Sequence, residues 1–121
     1  MSKRDHIFLL EDMLDSELKI IQYTKELDFD SFLADDKTID AVVRNFEIIG
    51  EAANRIDSDF RINNPEIEWE RIRGFRNRII HNYFGIDNEI VWSIIENDLK
   101  ELIDRLENLI LDNNKTKSSE M

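Results

Sequence analysis

The chain has no cysteine, one proline and three glycines in its 121 residues. Without cysteine there is no disulfide framework and no thiolate metal site, and a reducing compartment, the cytoplasm, is the expectation. With so little proline and glycine, helices meet few interruptions. Long apolar runs are missing as well, and none approaches the ~20 residues that span a bilayer. The opening MSKRDHIFLLEDMLD interrupts its apolar run IFLL with charge, so it does not read as a signal peptide, and no membrane partner is expected. Positive charge is also scarce: 16 Lys and Arg stand against 27 Asp and Glu, a net charge of −11. An acidic chain repels polyanions at long range, which argues against DNA and against indiscriminate binding of long RNA. The patterns GxGxxG, GxxxxGK[ST] and HExxH are absent, which removes the phosphate-loop and zinc-hydrolase motifs. Neither a cofactor nor a metal is expected.

What is present suits one helical domain. Apolar residues make up 41% of the chain, enough to close a single core at this length. Ile7, Leu10, Leu14, Leu18 and Ile21 fall at helical spacing and predict a first helix over about 3–26. The segment DFDSFLADDK reads as a loop. A second helix over about 38–56, capped by Asp36 or Thr38, presents Ile39, Val42, Val43, Phe46, Ile49, Ala53 and Ile56 on one face. Gly50 lies inside it at a cost of ~1 kcal/mol against alanine, which implies close approach by another backbone. SDFRINNPEIE reads as a second loop, and Asn64-Pro65 as a helix start. The third helix runs from Pro65 or Trp69 to Phe84, with Gly85 as its stop. Asp87 caps a fourth that reaches about Asp112, with Val91, Ile95, Leu99, Leu102, Leu106 and Leu109 as a coiled-coil-like seam. No strand pattern stands out. The expectation is an all-α, up-and-down four-helix bundle over residues 1–112, with room for one extra short helix, and a polar, frayed tail over 113–121.

The scarce positive charge is concentrated. Arg71, Arg73, Arg76 and Arg78 lie within eight residues, in a segment that continues IIHNYFGID. Pairing with acids such as Glu68 and Glu70 would make it a solvated face; a local anion site is the alternative. If the helix continues through Tyr83, then Arg76, Asn77, His81 and Tyr83 share one edge beside the buried Ile72, Phe75 and Ile79, with Tyr83 above Arg76. Cleaving RNA without a metal needs a base for the 2′-hydroxyl, an acid for the leaving oxygen and positive charge on the phosphate. Histidine suits the proton transfers and arginine the phosphate. Asn77 could fix the tautomer of His81, and Tyr83 could bind phosphate or stack on a base. His6 lies in another helix, so a homodimer pairing two copies of His81 would supply both acid and base. Glu47 and Glu51, one turn apart on the second helix, read as an exposed flank.

Arg76, four intervening residues, then His81, Asn82 and Tyr83 match the RX4HXY pattern, and Asn77 fits the polar residue that follows its arginine. With AVVRNFEIIGEAA at 41–53, WERIRGFRNRIIHNYFGID at 69–87 and VWSIIENDL at 91–99, the sequence resembles the HEPN-domain family, in particular the HepT-like ribonuclease toxins, over nearly its whole length. The resemblance implies a HEPN helical bundle that dimerises with two motifs facing one composite cleft. It implies metal-independent RNA cleavage by Arg76 and His81, supported by Asn77, Arg73 and Tyr83. It also implies a type VII-like toxin–antitoxin partnership. A minimal nucleotidyltransferase (MNT-type) antitoxin would transfer AMP to Tyr83 and so bar RNA from the cleft. A non-catalytic helical module, serving as partner or substrate of that nucleotidyltransferase, is the alternative.

Overall fold

Serine and aspartate side chains set where the chain turns into helix. In the computed structural model, which describes residues 1–119 and side chains through Asn114, Ser2 caps α1 (Lys3–Thr24) in a reciprocal capping box with Asp5. Asp28 caps α2 (Phe29–Leu33) and Asp35 caps α3 (Asp36–Arg55). Both carboxyls are held below their ordinary pKa by the hydrogen bonds they accept, from Ser31 and from Thr38. Asp87 caps α7 (Asn88–Asn97), as the sequence predicts, and α8 (Leu99–Ser119) follows.

The all-α expectation holds, with eight helices among the described residues and four limbs: α1, α3, a broken third limb and α7–α8. The expected faces of α3 and α7–α8 are buried at every position named for them. α3 is central and packs on α1, α2 and the third limb, while α1 also packs on α8. On α1 the buried face is rotated from the expected stripe. Leu10, Met13, Glu17, Ile20 and Thr24 point inward, whereas Leu18 is exposed. Two polar members, Glu17 and Thr24, mask that face in the sequence; the Thr24 hydroxyl is satisfied by donating to the Ile20 carbonyl at 2.8 Å.

Both expected loops contain short helices, α2 and α4 (Ser58–Asn63). α2 folds because Phe32 is fully buried and meets the Trp92 ring of α7 at 5.1 Å. The third limb does not start at Pro65. The Asn64 carboxamide donates back to the Phe60 carbonyl, the Asn64 backbone carbonyl accepts from the Trp69 indole at 2.9 Å, and helix resumes only at α5 (Trp69–Arg73).

Nor does that limb remain helical to Phe84. After α6 (Phe75–Ile79) the chain turns extended at Ile80 and forms a small antiparallel hairpin, β1 (Ile80–His81) with β2 (Gly85–Ile86). Gly85, expected as a helix stop, instead takes φ +77 in the hairpin, and Phe84 donates to the His81 carbonyl at 3.2 Å. This is a three-residue loop closed by a left-handed glycine. It seats Ile80 and Ile86 against the core and pushes residues 82–84 outward. The fourth limb also breaks, at Asp98, whose carboxylate meets Arg71 at 2.6 Å. α8 runs past Asp112 to Ser119, through most of the expected tail; Glu120 and Met121 lie outside the described residues.

Candidate active site

The site begins with a close approach between backbones. A Cβ on Gly50 would stand 3.4 Å from the Ile72 carbonyl oxygen and 3.9 Å from that of Arg73, ordinary contact distances, so α5 lies close on α3 here but would also accommodate an alanine. Phe75 is fully buried and its ring meets Phe46 of α3 edge-on at 5.3 Å. Ile72, Phe75 and Ile79 are all buried, and Arg76, Asn77 and Arg78 are thereby turned outward.

The four arginines have different fates. Arg71 pairs with Glu68 and Asp98. Arg73 donates to Glu70 at 2.7 Å and to the Asn54 carboxamide at 2.6 Å. For these two the solvated-face reading is right. Arg76 and Arg78 make no ion pair and no side-chain hydrogen bond among the described residues. Arg76 and Asn77 border a crease of about 190 Å³ shared with Arg73, Gly50, Asn54, Glu47 and Glu51. Glu47 and Glu51, expected as a plain flank, thus form its acidic wall and are partly neutralised by Arg44 at 4.0 and 3.7 Å.

His81 lies elsewhere. The hairpin takes it off the helix, so the shared edge drawn on a continuous helix does not form. The imidazole borders a separate recess of about 330 Å³ with Phe29, Leu33 and Phe84. Its side chain is 45% exposed and its Nε2 stands 3.5 Å from the Asp87 carboxylate. Asp87 also accepts from the Ile90 backbone, so the α7 cap is the group that faces the imidazole. No hydrogen bond joins Asn77 to His81. Tyr83 is 93% exposed, with its phenol in solvent. Among the described residues no group of three or more His, Asp or Glu is placed to hold a metal ion, and no helix is long and apolar enough to cross a membrane.

Sequence reasoning missed the walls of both recesses. Asp28 followed by Phe29, Phe32 and Leu33 at helical spacing was the signal for α2. Nothing local signalled Asp87 as the imidazole's neighbour, because the hairpin brings it there.

A family model described as ribonuclease HepT-like matches residues 13–109. The chain belongs to that family. A Methanocaldococcus jannaschii protein provisionally named an RNase is 39% identical over 112 residues, covering 93% of each chain. A second from that organism, named in the same way, is 41% identical over 102 residues, covering 84% of this chain and 94% of its own. A Thermococcus cleftensis protein named "Probable ribonuclease HepT" is 40% identical over 107 residues, covering 88% of this chain and 97% of its own. No solved structure matches the chain.

On this HepT-like frame the fold is HEPN-like, and the motif's arginine and histidine both face solvent. A lone exposed guanidinium is a ready phosphate ligand. An exposed imidazole is a group that can take and return a proton. In one chain they border separate recesses.

Proposed function

We propose that this HepT-like protein is a metal-independent endoribonuclease, the toxin of a type VII-like toxin–antitoxin pair, working as a homodimer in the cytoplasm. The observation that carries this reading is the contrast among the arginines. Arg71 and Arg73 are spent on acids, while Arg76 is held outward with no internal partner beside the face that bears Asn77. One His81 takes the proton of an RNA 2′-hydroxyl. The 2′-oxygen attacks the adjacent phosphorus, and Arg76, supported by Asn77, meets the charge on the phosphate oxygens. The bond from phosphorus to the 5′-oxygen breaks, and His81 of the second copy protonates that oxygen. The products are a 2′,3′-cyclic phosphate and a 5′-hydroxyl. The carboxylate of Asp87, 3.5 Å from Nε2, faces each imidazole and orients it.

The exposure of Tyr83 suits its regulation by a nucleotidyltransferase antitoxin of the MNT type. The phenol oxygen attacks the α-phosphorus of ATP, pyrophosphate leaves, and the phenolic proton passes to solvent. The bound AMP adds negative charge and bulk next to His81, which repels RNA.

In the test, wild type, Arg76→Ala and His81→Ala are expressed in bacteria and the purified proteins are assayed on RNA in EDTA. Wild type arrests growth and cleaves; each variant loses at least ~100-fold of the cleavage rate. Equal cleavage by all three, or by none, overturns the assignment. The net charge of −11 favours a second reading, a non-catalytic substrate module of the nucleotidyltransferase. That reading predicts AMP uptake on Tyr83 with no cleavage of RNA.

A further inference from the structure

Phe84 sits beside the motif tyrosine at the hairpin tip and is 90% exposed. A fully solvated phenylalanine forgoes the burial that normally stabilises it, and here the backbone holds it out: Phe84 donates to the His81 carbonyl and Gly85 turns left-handed behind it. Phe84 is also one wall of the recess that His81 borders. Phe29 and Leu33 of α2 line it too, anchored by the Phe29 and Trp92 rings at 6.1 Å and by buried Phe32. A recess with an anchored aromatic lining and a second ring held out in solvent opens next to the group assigned the proton transfers.

The chemistry of the recess limits what enters it. No lysine or arginine lines it, so it is not a phosphate site. Its volume of about 330 Å³ is near the lower end of small-ligand pockets, ~300–1,000 Å³. Its polar groups are mainly acceptors at the start of α7. The Asp87 carboxylate is already engaged by the Ile90 backbone and faces His81. Glu89 is exposed, and the Asn88 side-chain oxygen is buried without a hydrogen-bond partner. A flat, uncharged ring with donors on its edge fits these walls.

Building on the ribonuclease reading, we propose that the recess is a nucleobase subsite, with Phe84 as its stacking platform and Asn88 and Glu89 as its edge readers. The unpaired bases of single-stranded RNA stack on such aromatics. Acceptors favour bases with an exocyclic amine, adenine, cytosine and guanine, over uracil. The subsite therefore selects where the chain is cut, while the phosphate remains outside with Arg76.

The experiment compares wild type, Phe84→Ala and Phe84→Tyr on single-stranded oligoadenylate, oligocytidylate and oligouridylate. Wild type cleaves the first two in preference to the third. Phe84→Ala raises KM roughly 5- to 100-fold with kcat held within about twofold, and Phe84→Tyr restores KM. An unchanged KM and base preference in Phe84→Ala overturns the subsite and leaves the nuclease reading intact. Loss of the dimer in Phe84→Ala, measured by light scattering, overturns it too, because the tip would then be a contact between copies. If wild type cuts none of the three RNAs, the nuclease reading fails, and stacking is read directly with oligoadenylate carrying one 2-aminopurine. Fluorescence quenched by wild type and recovered with Phe84→Ala upholds the base site; absence of quenching by wild type refutes it.

Discussion

Glu17 is the residue most at odds with its surroundings. It lies on the buried face of α1 at 1% exposure, and neither carboxyl oxygen has a hydrogen-bond partner. Burial, reinforced by Glu107, pushes its pKa up to about 8. A carboxyl whose folded pKa is raised binds its proton more tightly in the folded state. Its contribution is therefore fully present below the unfolded value near 4.5 and is lost as pH rises towards 8. Asp5, Asp28 and Asp35 shift in the opposite direction, so their effects fall at acid pH, outside that window. Glu17→Gln should flatten the pH dependence and raise stability at pH 8 by on the order of a few kcal/mol. Urea denaturation at pH 5, 6.5 and 8 measures both slopes, and parallel slopes would refute the assignment. This residue also shows why the α1 stripe was hard to read. A charge inside the apolar face shifts the apparent stripe towards Leu14, Leu18 and Ile21, which flank the true one.

At the scale of elements, the hairpin between α6 and α7 decides the geometry of the site, and it was the part least legible in the sequence. Periodicity located α3 and the α7–α8 limb because their faces are apolar throughout, and the Asp87 cap was plain from its type and place. The motif residues could be read as chemistry, but not as geometry. A run that is helical to Ile79 and ends in glycine fits a longer helix equally well, and only packing of Ile80 and Ile86 on the core selects the hairpin. Gly85 is where this choice can be tested. A Cβ there would meet nothing within 4 Å, so substitution carries a conformational penalty and no clash. Gly85→Ala should cost about 1–2 kcal/mol through φ +77 alone. Gly85→Asn should cost less, because asparagine tolerates that region. Thermal denaturation of the three proteins should rank them glycine, asparagine, alanine. An alanine variant as stable as wild type would mean the left-handed turn is not required. Because the tip carries Tyr83 and Phe84, the same substitution should also slow both RNA cleavage and adenylylation.

At the scale of the whole molecule, an acidic chain must handle a polyanion with few cations. With Arg71 and Arg73 paired to acids, the unspent charge near the motif reduces to Arg76 and Arg78, so the salt dependence of RNA binding should be shallow. Specificity then rests on local groups, and within one chain those groups border two recesses, Arg76 in one and His81 in the other. A homodimer resolves this if the two motifs face one cleft that uses both imidazoles, one as base and one as acid. That arrangement has a signature. When equal amounts of wild-type and His81→Ala chains are denatured together and refolded, about a quarter of randomly paired dimers are wild type in both copies and about half are mixed. A cleft that needs both imidazoles works only in the first, so the mixture should keep roughly a quarter of the activity of the same total amount of refolded wild type. Sites built within one chain keep about half, because half of the chains carry every group. Cleavage measured on the refolded mixture, against wild type refolded alone, separates the two arrangements.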